Sequence, residues 1–370
     1  MTRRKNALAL AITVLAILVV VAFLVPLPYV VLAPGLTANA LGDFAGKPVV
    51  TVAGHPTYRT TGHLNLTTVS VTRDDYNVRL GQLLAAWWSP NDLLLPREVI
   101  YPPNETSSQV VRQNRSEMLG AQSAAVVAGL GEAGIHAITV RVDKVSKGFP
   151  AYGVFRKGDR ILAVDGKAVH SATQVADVVE PLAPGTAITV TVVRSGRRMH
   201  LSLHTTKSTL HAGQSMIGIT MSESFKPPFK VRFNPAIVAE IGGPSAGLMF
   251  ALAVYDKITP GALTGGRFVA GTGTITADGQ VGPIGGVQQK IAGAYAKGAR
   301  YFLVPAGDCA EAAKAPDAGK VRLITVHDIG DAVRALRQLD RGDEAAISWC
   351  GAASASAGSA AGGSASGGSG

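Results

Sequence analysis

The chain has 370 residues, 47% hydrophobic but only 6% aromatic and 16% charged, with 43 glycines and a net charge of +10. So much apolar content beside so few charges excludes a wholly disordered polymer, and the scarcity of aromatics argues against a stacking platform for single-stranded nucleic acid. Two cysteines, Cys309 and Cys350, are too few for a disulfide-dense scaffold or a four-cysteine zinc module.

Ala7 to Val25 is a run of 19 residues whose only polar side chain is Thr13, preceded by Arg3, Arg4 and Lys5. Its length spans most of a hydrocarbon core of about 30 Å, and the basic flank keeps the N-terminus cytoplasmic. A single-pass anchor in the cell membrane is expected over 1–32, with the bulk of the chain extracytoplasmic. A cleaved signal peptide is the competing reading, but its apolar stretch would be unusually long. An exported location permits a Cys309–Cys350 disulfide that would pin the C-terminal segment, and two unpaired thiols are the alternative. The last residues are made only of Gly, Ala and Ser, and a flexible tail is expected over 346–370.

Alternating segments predict strands at 49–52 and 64–71, followed by a helix at 80–88 carrying Trp87 and Trp88 and a longer one over about 106–130. Gly129-Leu130-Gly131-Glu132-Ala133-Gly134 matches GxGxxG, but a helix precedes it and none opens after it. Gly131 or Gly134 is read as a helix-terminating glycine.

Next comes a β-rich unit with strands expected at 138–145, 160–164, 188–193 and 199–204, turns at Asp165-Gly166 and Ser195-Gly196, and a helix at 172–179. His200 and His204 share one face of the last strand, read as a solvated face rather than a metal site. The run Lys157-Gly158-Asp159-Arg160-Ile161-Leu162-Ala163-Val164-Asp165-Gly166 resembles a bacterial PDZ domain. Such domains bind an extended peptide as an added strand. The usual carboxylate-binding loop motif is not evident.

The strongest chemical signal is Gly242-Gly243-Pro244-Ser245-Ala246-Gly247, a glycine-rich turn that sets a serine before the apolar helix Leu248 to Val254. Backbone N–H groups at such a start can stabilise an oxyanion, but a serine hydroxyl still needs a base. Two compete. The GxSxG match suggests an α/β-hydrolase with Asp308 or Asp317 and His327, a fold whose repeated parallel strand–helix units are not apparent upstream. Alternatively, the glycine-rich segment 271–286 leads into a helix whose apolar stripe is Val287, Ile291, Ala294 and Tyr295, with Lys290 at its edge. A lysine held there loses hydration, and its neutral amine can accept a proton. Periodicity alone does not separate Lys290 from Lys297.

The Gly-Pro-Ser-Ala-Gly turn together with Thr272-Gly273-x-Ile275 and Val281-x-Pro283-Ile284-Gly285-Gly286-Val287-x-x-Lys290 resembles the proteolytic domain of Lon-type (S16) serine peptidases. With the apolar N-terminus and the PDZ-like unit, the whole resembles membrane-anchored PDZ–Lon proteins of actinobacterial type. The resemblance implies Ser245 as nucleophile, Lys290 as general base and Thr272 orienting the lysine. It further implies polypeptide substrates, no cofactor, no metal, no nucleic-acid partner and a homo-oligomer, with a hexamer plausible for this family. No GxxxxGK[ST] phosphate loop occurs in the sequence, so ATP is not expected as a partner and substrates should arrive unfolded or extended. The expected fold class is α+β. The PDZ-like domain (131–210) is inserted between an N-terminal part (33–130) and a catalytic part (211–345) of the Lon-type domain.

Overall fold

A computed structural model of the chain describes residues 2–102, 107–209 and 211–351. The chain opens with α1 (Thr2–Leu24), in which Asn6–Leu24 is long and apolar enough to cross a membrane and has no buried residue. The tail beyond residue 351 lies outside the described residues. The chain divides into two units, one built from the segments before Leu130 and after Lys230, the other from Leu130–Lys230.

In the first unit α1 leads into β1 (Pro26–Leu27), β2 (Tyr29–Asn39), β3 (Val50–Ala53), β4 (His63–Val71), β5 (Val78–Arg79), α2 (Leu80–Trp88), β6 (Leu93–Pro96) and α3 (Ser107–Glu132). Gly134, at φ +77°, lies just past the end of α3, and Ile135 N–H donates back to the Leu130 carbonyl. The GxGxxG match is therefore a helix terminus, closed by Gly134 as a helix-terminating glycine.

The second unit contains β7 (Ile138–Val145), β8 (Arg160–Val164), α4 (Ala172–Val179), β9 (Ala187–Arg194), β10 (Arg197–His204) and β11 (Ile219–Phe225). Asp165-Gly166 and Ser195-Gly196 take positive φ at both positions, the left-handed pair that matches a tight hairpin to strand twist. The Ser171 hydroxyl caps α4 by accepting from Gln174 N–H. The strands line up as β10-β9-β8-β7-β11, and Val140, Val142, Ile161, Val164, Ile188, Val190 and Val192 point their alternate side chains into one core. Arg194 binds the nearly fully buried Asp159 through two nitrogens, which holds the carboxyl below its ordinary range despite the opposing effect of desolvation, the largest single influence on it. His200 is exposed and bonds Thr191. The unit does not stop at the expected residue 210. β11 adds to β7 in antiparallel register from Ile219↔Val145 to Phe225↔Ile138, so the boundary moves to about residue 230.

Past that boundary the first unit resumes with β12 (Lys230–Phe233), α5 (Pro235–Glu240), α6 (Gly247–Ile258), β13 (Phe268–Gly271), β14 (Thr274–Ile275), β15 (Val281–Gly282), α7 (Val287–Ala296), β16 (Tyr301–Pro305), β17 (Arg322–Val326) and α8 (Ile329–Arg341). Its main sheet runs β17-β16-β13-β4-β2-β6, parallel from β17 to β4 and antiparallel beyond. The chain thus leaves this unit after α3 and returns to it with β12, which pairs with β3. α6 is apolar on every side from Leu248 to Val254 and buried along nearly its whole length, as a central helix must be. Asp328 caps α8 through Asp331 N–H, and Gly342 at φ +76° closes it. Cys309 and Cys350 form a disulfide with Cα atoms 5.2 Å apart, and Cys350 N–H donates to Leu323 O of β17.

Candidate functional site

Ser245 lies half-buried in a single 3-10 turn, Pro244–Ala246, directly before α6. The turn comes down on β14. A Cβ at Gly247 would stand 2.8 Å from Ile275 Cγ2, so only glycine lets α6 start this close to the strand. Backbone bonds lock the junction: Gly273 N–H donates to Ser245 O at 2.8 Å, and Leu248 N–H donates to Gly273 O at 3.1 Å.

Lys290 reaches the same junction from α7. That helix opens after Gly286, whose φ of +69° suits the left-handed entry, and it lies against β2 and β4 with Val287, Ile291 and Ala294 fully covered. Lys290 is only 3% exposed. Burial pulls its ammonium down from the usual range to about 8, opposed by the nearby Asp308 carboxylate. Its Nζ donates to Thr272 Oγ1 at 3.0 Å, and Thr272 Oγ1 in turn donates to Ser245 O at 3.0 Å. Thr272 is itself completely buried. The three residues singled out in the sequence therefore converge, with the threonine hydroxyl joining the lysine amine to the main chain of the serine. Because the hydroxyl proton points at the serine carbonyl, its lone pairs face Nζ and fix one amine N–H, leaving the lone pair of a neutral amine to be aimed elsewhere.

Asp308 is a member of this site for which the sequence supplied no lysine-linked role. It is buried, accepts from Ile284 N–H at 2.9 Å, and has its carboxyl pushed up by desolvation against the pull of that bond and of Lys290. The hydrolase-type grouping does not assemble around Ser245. His327 is largely exposed and bonds Asp331, while Asp317 pairs with Lys320. Among the described residues no three His, Cys, Asp or Glu side chains converge on a metal-sized site.

A cavity of about 600 Å³ lies between α3 and α5, lined by Met118, Leu119, Phe233, Val238 and Ile241, and it reaches Gly242 at the start of the serine turn. Gln122 Nε2 is buried beside it without a hydrogen-bond partner among the described residues. These residues carry no motif. Of them, only Gly242, the first residue of the serine turn, is singled out by the sequence.

The family model of the Lon protease (S16) C-terminal proteolytic domain matches residues 159–338, and that of the PDZ domain matches 109–205. A Lon protease of Phenylobacterium zucineum is 28% identical over 162 residues, 43% of this chain and 20% of that protein. Lon protease 2 of Herpetosiphon aurantiacus is 48% identical over 63 residues, 17% of this chain and 8% of that protein. The chain therefore spans a fifth or less of the length of these relatives. Among solved structures, the PDZ domain of the SdrC-like protein from Listeria monocytogenes is 25% identical, with 22% of this chain and 85% of that one covered and a TM-score of 0.21. Residues 159–338 thus match the C-terminal proteolytic domain of the Lon (S16) family, and residues 109–205 match a PDZ domain.

Proposed function

We propose that the chain is an ATP-independent, membrane-anchored serine endopeptidase that cleaves unfolded or extended exported polypeptides with a Ser245–Lys290 dyad. The observation that carries this reading is the buried Lys290, held by Thr272 against the main chain of Ser245 with its amine poised to be neutral near pH 8. In the acylation step, Lys290 Nζ removes the Ser245 Oγ proton as the oxygen attacks the scissile carbonyl. The tetrahedral oxyanion forms at the start of α6, where the helix N-terminus favours negative charge. Collapse breaks the C–N bond, and the lysine ammonium returns its proton to the leaving amine. Water, deprotonated by the same amine, then releases the acyl group and restores the serine. The apolar cavity ending at Gly242 suits a large aliphatic or aromatic substrate side chain, with Gln122 Nε2 available to a peptide carbonyl.

Independence from ATP is supported by the lack of a phosphate-loop motif in these 370 residues, and anchoring by the apolar α1 behind its basic flank. The PDZ domain is inserted in the proteolytic domain in this reading, and it presents the substrate. β11 ends its sheet and α4 packs beside it, tied by Ala172 N–H donating to Glu223, which leaves an outer strand edge for an added peptide strand. In this reading Met216-Ile217-Gly218-Ile219, at the entry to β11, serves as the carboxylate-binding loop. The charge of +6 over 139–207 favours acidic peptides. A homo-oligomer, with a hexamer as the starting hypothesis, completes the proposal.

The test is cleavage of an unfolded polypeptide by the purified full chain without nucleotide. Ser245→Ala and Lys290→Ala should each lower the rate by about 10³-fold or more. Cleavage that persists in both variants, or that requires ATP, overturns the assignment.

A further inference from the structure

α2 is a nine-residue helix that ends on two of the chain's three tryptophans, and both face outward: Trp87 is 72% exposed and Trp88 82%, with their rings in a T-shaped arrangement. Two adjacent indoles left in water are costly, since each offers a large apolar body with one polar tip. Their position in the fold places them near the outer end of α1. β1, which comes after α1 with a single residue between, pairs with β5 through Pro26↔Arg79 and Leu27↔Val78, and β5 runs directly into α2. The first turn of α2 is thereby held at the outer end of the apolar helix. Phe23, in the last turn of α1, lies against Gly81, where an added Cβ would touch its ring at 3.4 Å. α1 and α2 also pack on one another. At about 1.5 Å per residue, Trp87 and Trp88 lie within roughly 10 Å along α2 of that junction, close to the end at which a membrane-spanning α1 would leave the hydrocarbon. Tyr29, Tyr76 and Arg79 are exposed around the same junction. Tryptophan, tyrosine and arginine are the side chains that favour this zone, where the ring is out of water and its polar end is not.

We propose that the Trp87–Trp88 end of α2 is a second membrane contact, seated in the headgroup layer of the outer leaflet, that fixes how the proteolytic unit stands on the bilayer. The proposal rests on α1 spanning the membrane.

Its test uses the full chain reconstituted in phosphatidylcholine vesicles whose acyl chains carry bromine either near the headgroup or near the bilayer centre. With Trp349→Phe, only Trp87 and Trp88 emit. Their fluorescence should shift to shorter wavelength and be quenched more by shallow than by deep bromine. With Trp87→Phe and Trp88→Phe, the remaining Trp349 should not respond to either lipid. Leu15→Trp, placed in a chain with all three native tryptophans changed to Phe, reports on α1 and should be quenched by deep bromine. Unquenched Trp87 and Trp88 beside a quenched residue 15 overturn the interfacial contact while leaving the anchor standing. An unquenched residue 15 overturns both. Quenching of Trp349 equal to that of the pair also overturns the proposal, because contact would then not be confined to α2.

Discussion

At the scale of single residues, Lys290 makes the sharpest demand. Its ammonium titrates near 8 because burial disfavours the charge more than Asp308 restores it. Only the neutral amine can act as base, so kcat/KM should rise with pH, with unit slope, and level off above about 8. Replacing Asp308 with Asn should move that inflection to lower pH, which a pH–rate profile would register. Thr272→Val should lower kcat by roughly 10- to 100-fold with little change in KM, since it removes a bond that aims a base contributing about 10²–10⁴-fold. Thr272→Ser, which keeps the hydroxyl, should recover most of the loss, and equal losses in both variants would refute a positioning role.

Asp256 illustrates the opposite use of burial. It is fully enclosed on α6, accepts from Leu263 N–H at 2.6 Å, and has its carboxyl raised to about 6 by desolvation, with its second oxygen unpartnered among the described residues. A carboxyl whose folded value lies above its unfolded one stabilises the fold most when protonated. Its contribution is therefore full below about pH 4 and lost as pH rises through about 6. Asp256→Asn should raise stability at pH 7.5 by on the order of 1–3 kcal/mol, with the difference from the parent closing below about pH 4. Denaturant melts at the two pH values measure this directly.

Among the elements, those set by local rules were readable from the sequence. The helix at 80–88, the strands at 138–145 and 160–164 and the helix at 172–179 all match the expected ranges, because alternation, capping and left-handed turn residues act within a few positions. β11 was not foreseen as part of the same sheet. Its segment alternates weakly, and its partner β7 lies some 80 residues earlier in sequence, so nothing local announced the pairing. The disulfide was left open for the same reason, since the distance between two cysteines 41 residues apart is a product of the fold. It ties the chain after β17 back to the segment just past β16. In the chain-entropy model, closing such a loop contributes about 4 kcal/mol. Cys350→Ala should lower the unfolding free energy by an amount of that order, and reducing agent should have little further effect on the variant. Gly247→Val should cost about 1–3 kcal/mol, because its side chain would meet Ile275 where α6 begins, and activity should fall with it.

For the molecule as a whole, the first unit is assembled from two stretches separated by a hundred residues that fold as another unit. β3 must pair with β12, and β4 with β13, before the serine turn has a sheet to rest on. A fragment beginning at residue 211 lacks β2 and β4, the strands against which α7 packs. It should not fold as a protease, and circular dichroism and activity of that fragment would show it.

The sequence by itself determined which residues carry chemistry and which segments have a strong local period. A serine in a glycine-rich turn, a lysine on an apolar helix, a charged flank before 19 apolar residues and hairpin turns are all written within a few positions of one another. Only the tertiary structure decided that Thr272 lies between the lysine and the serine, that Asp308 belongs beside Lys290, that β11 completes the second sheet and that Phe23 meets α2. Each depends on contacts between distant parts of the chain. Burial, the property that tunes Lys290, exists only once the elements around it have closed.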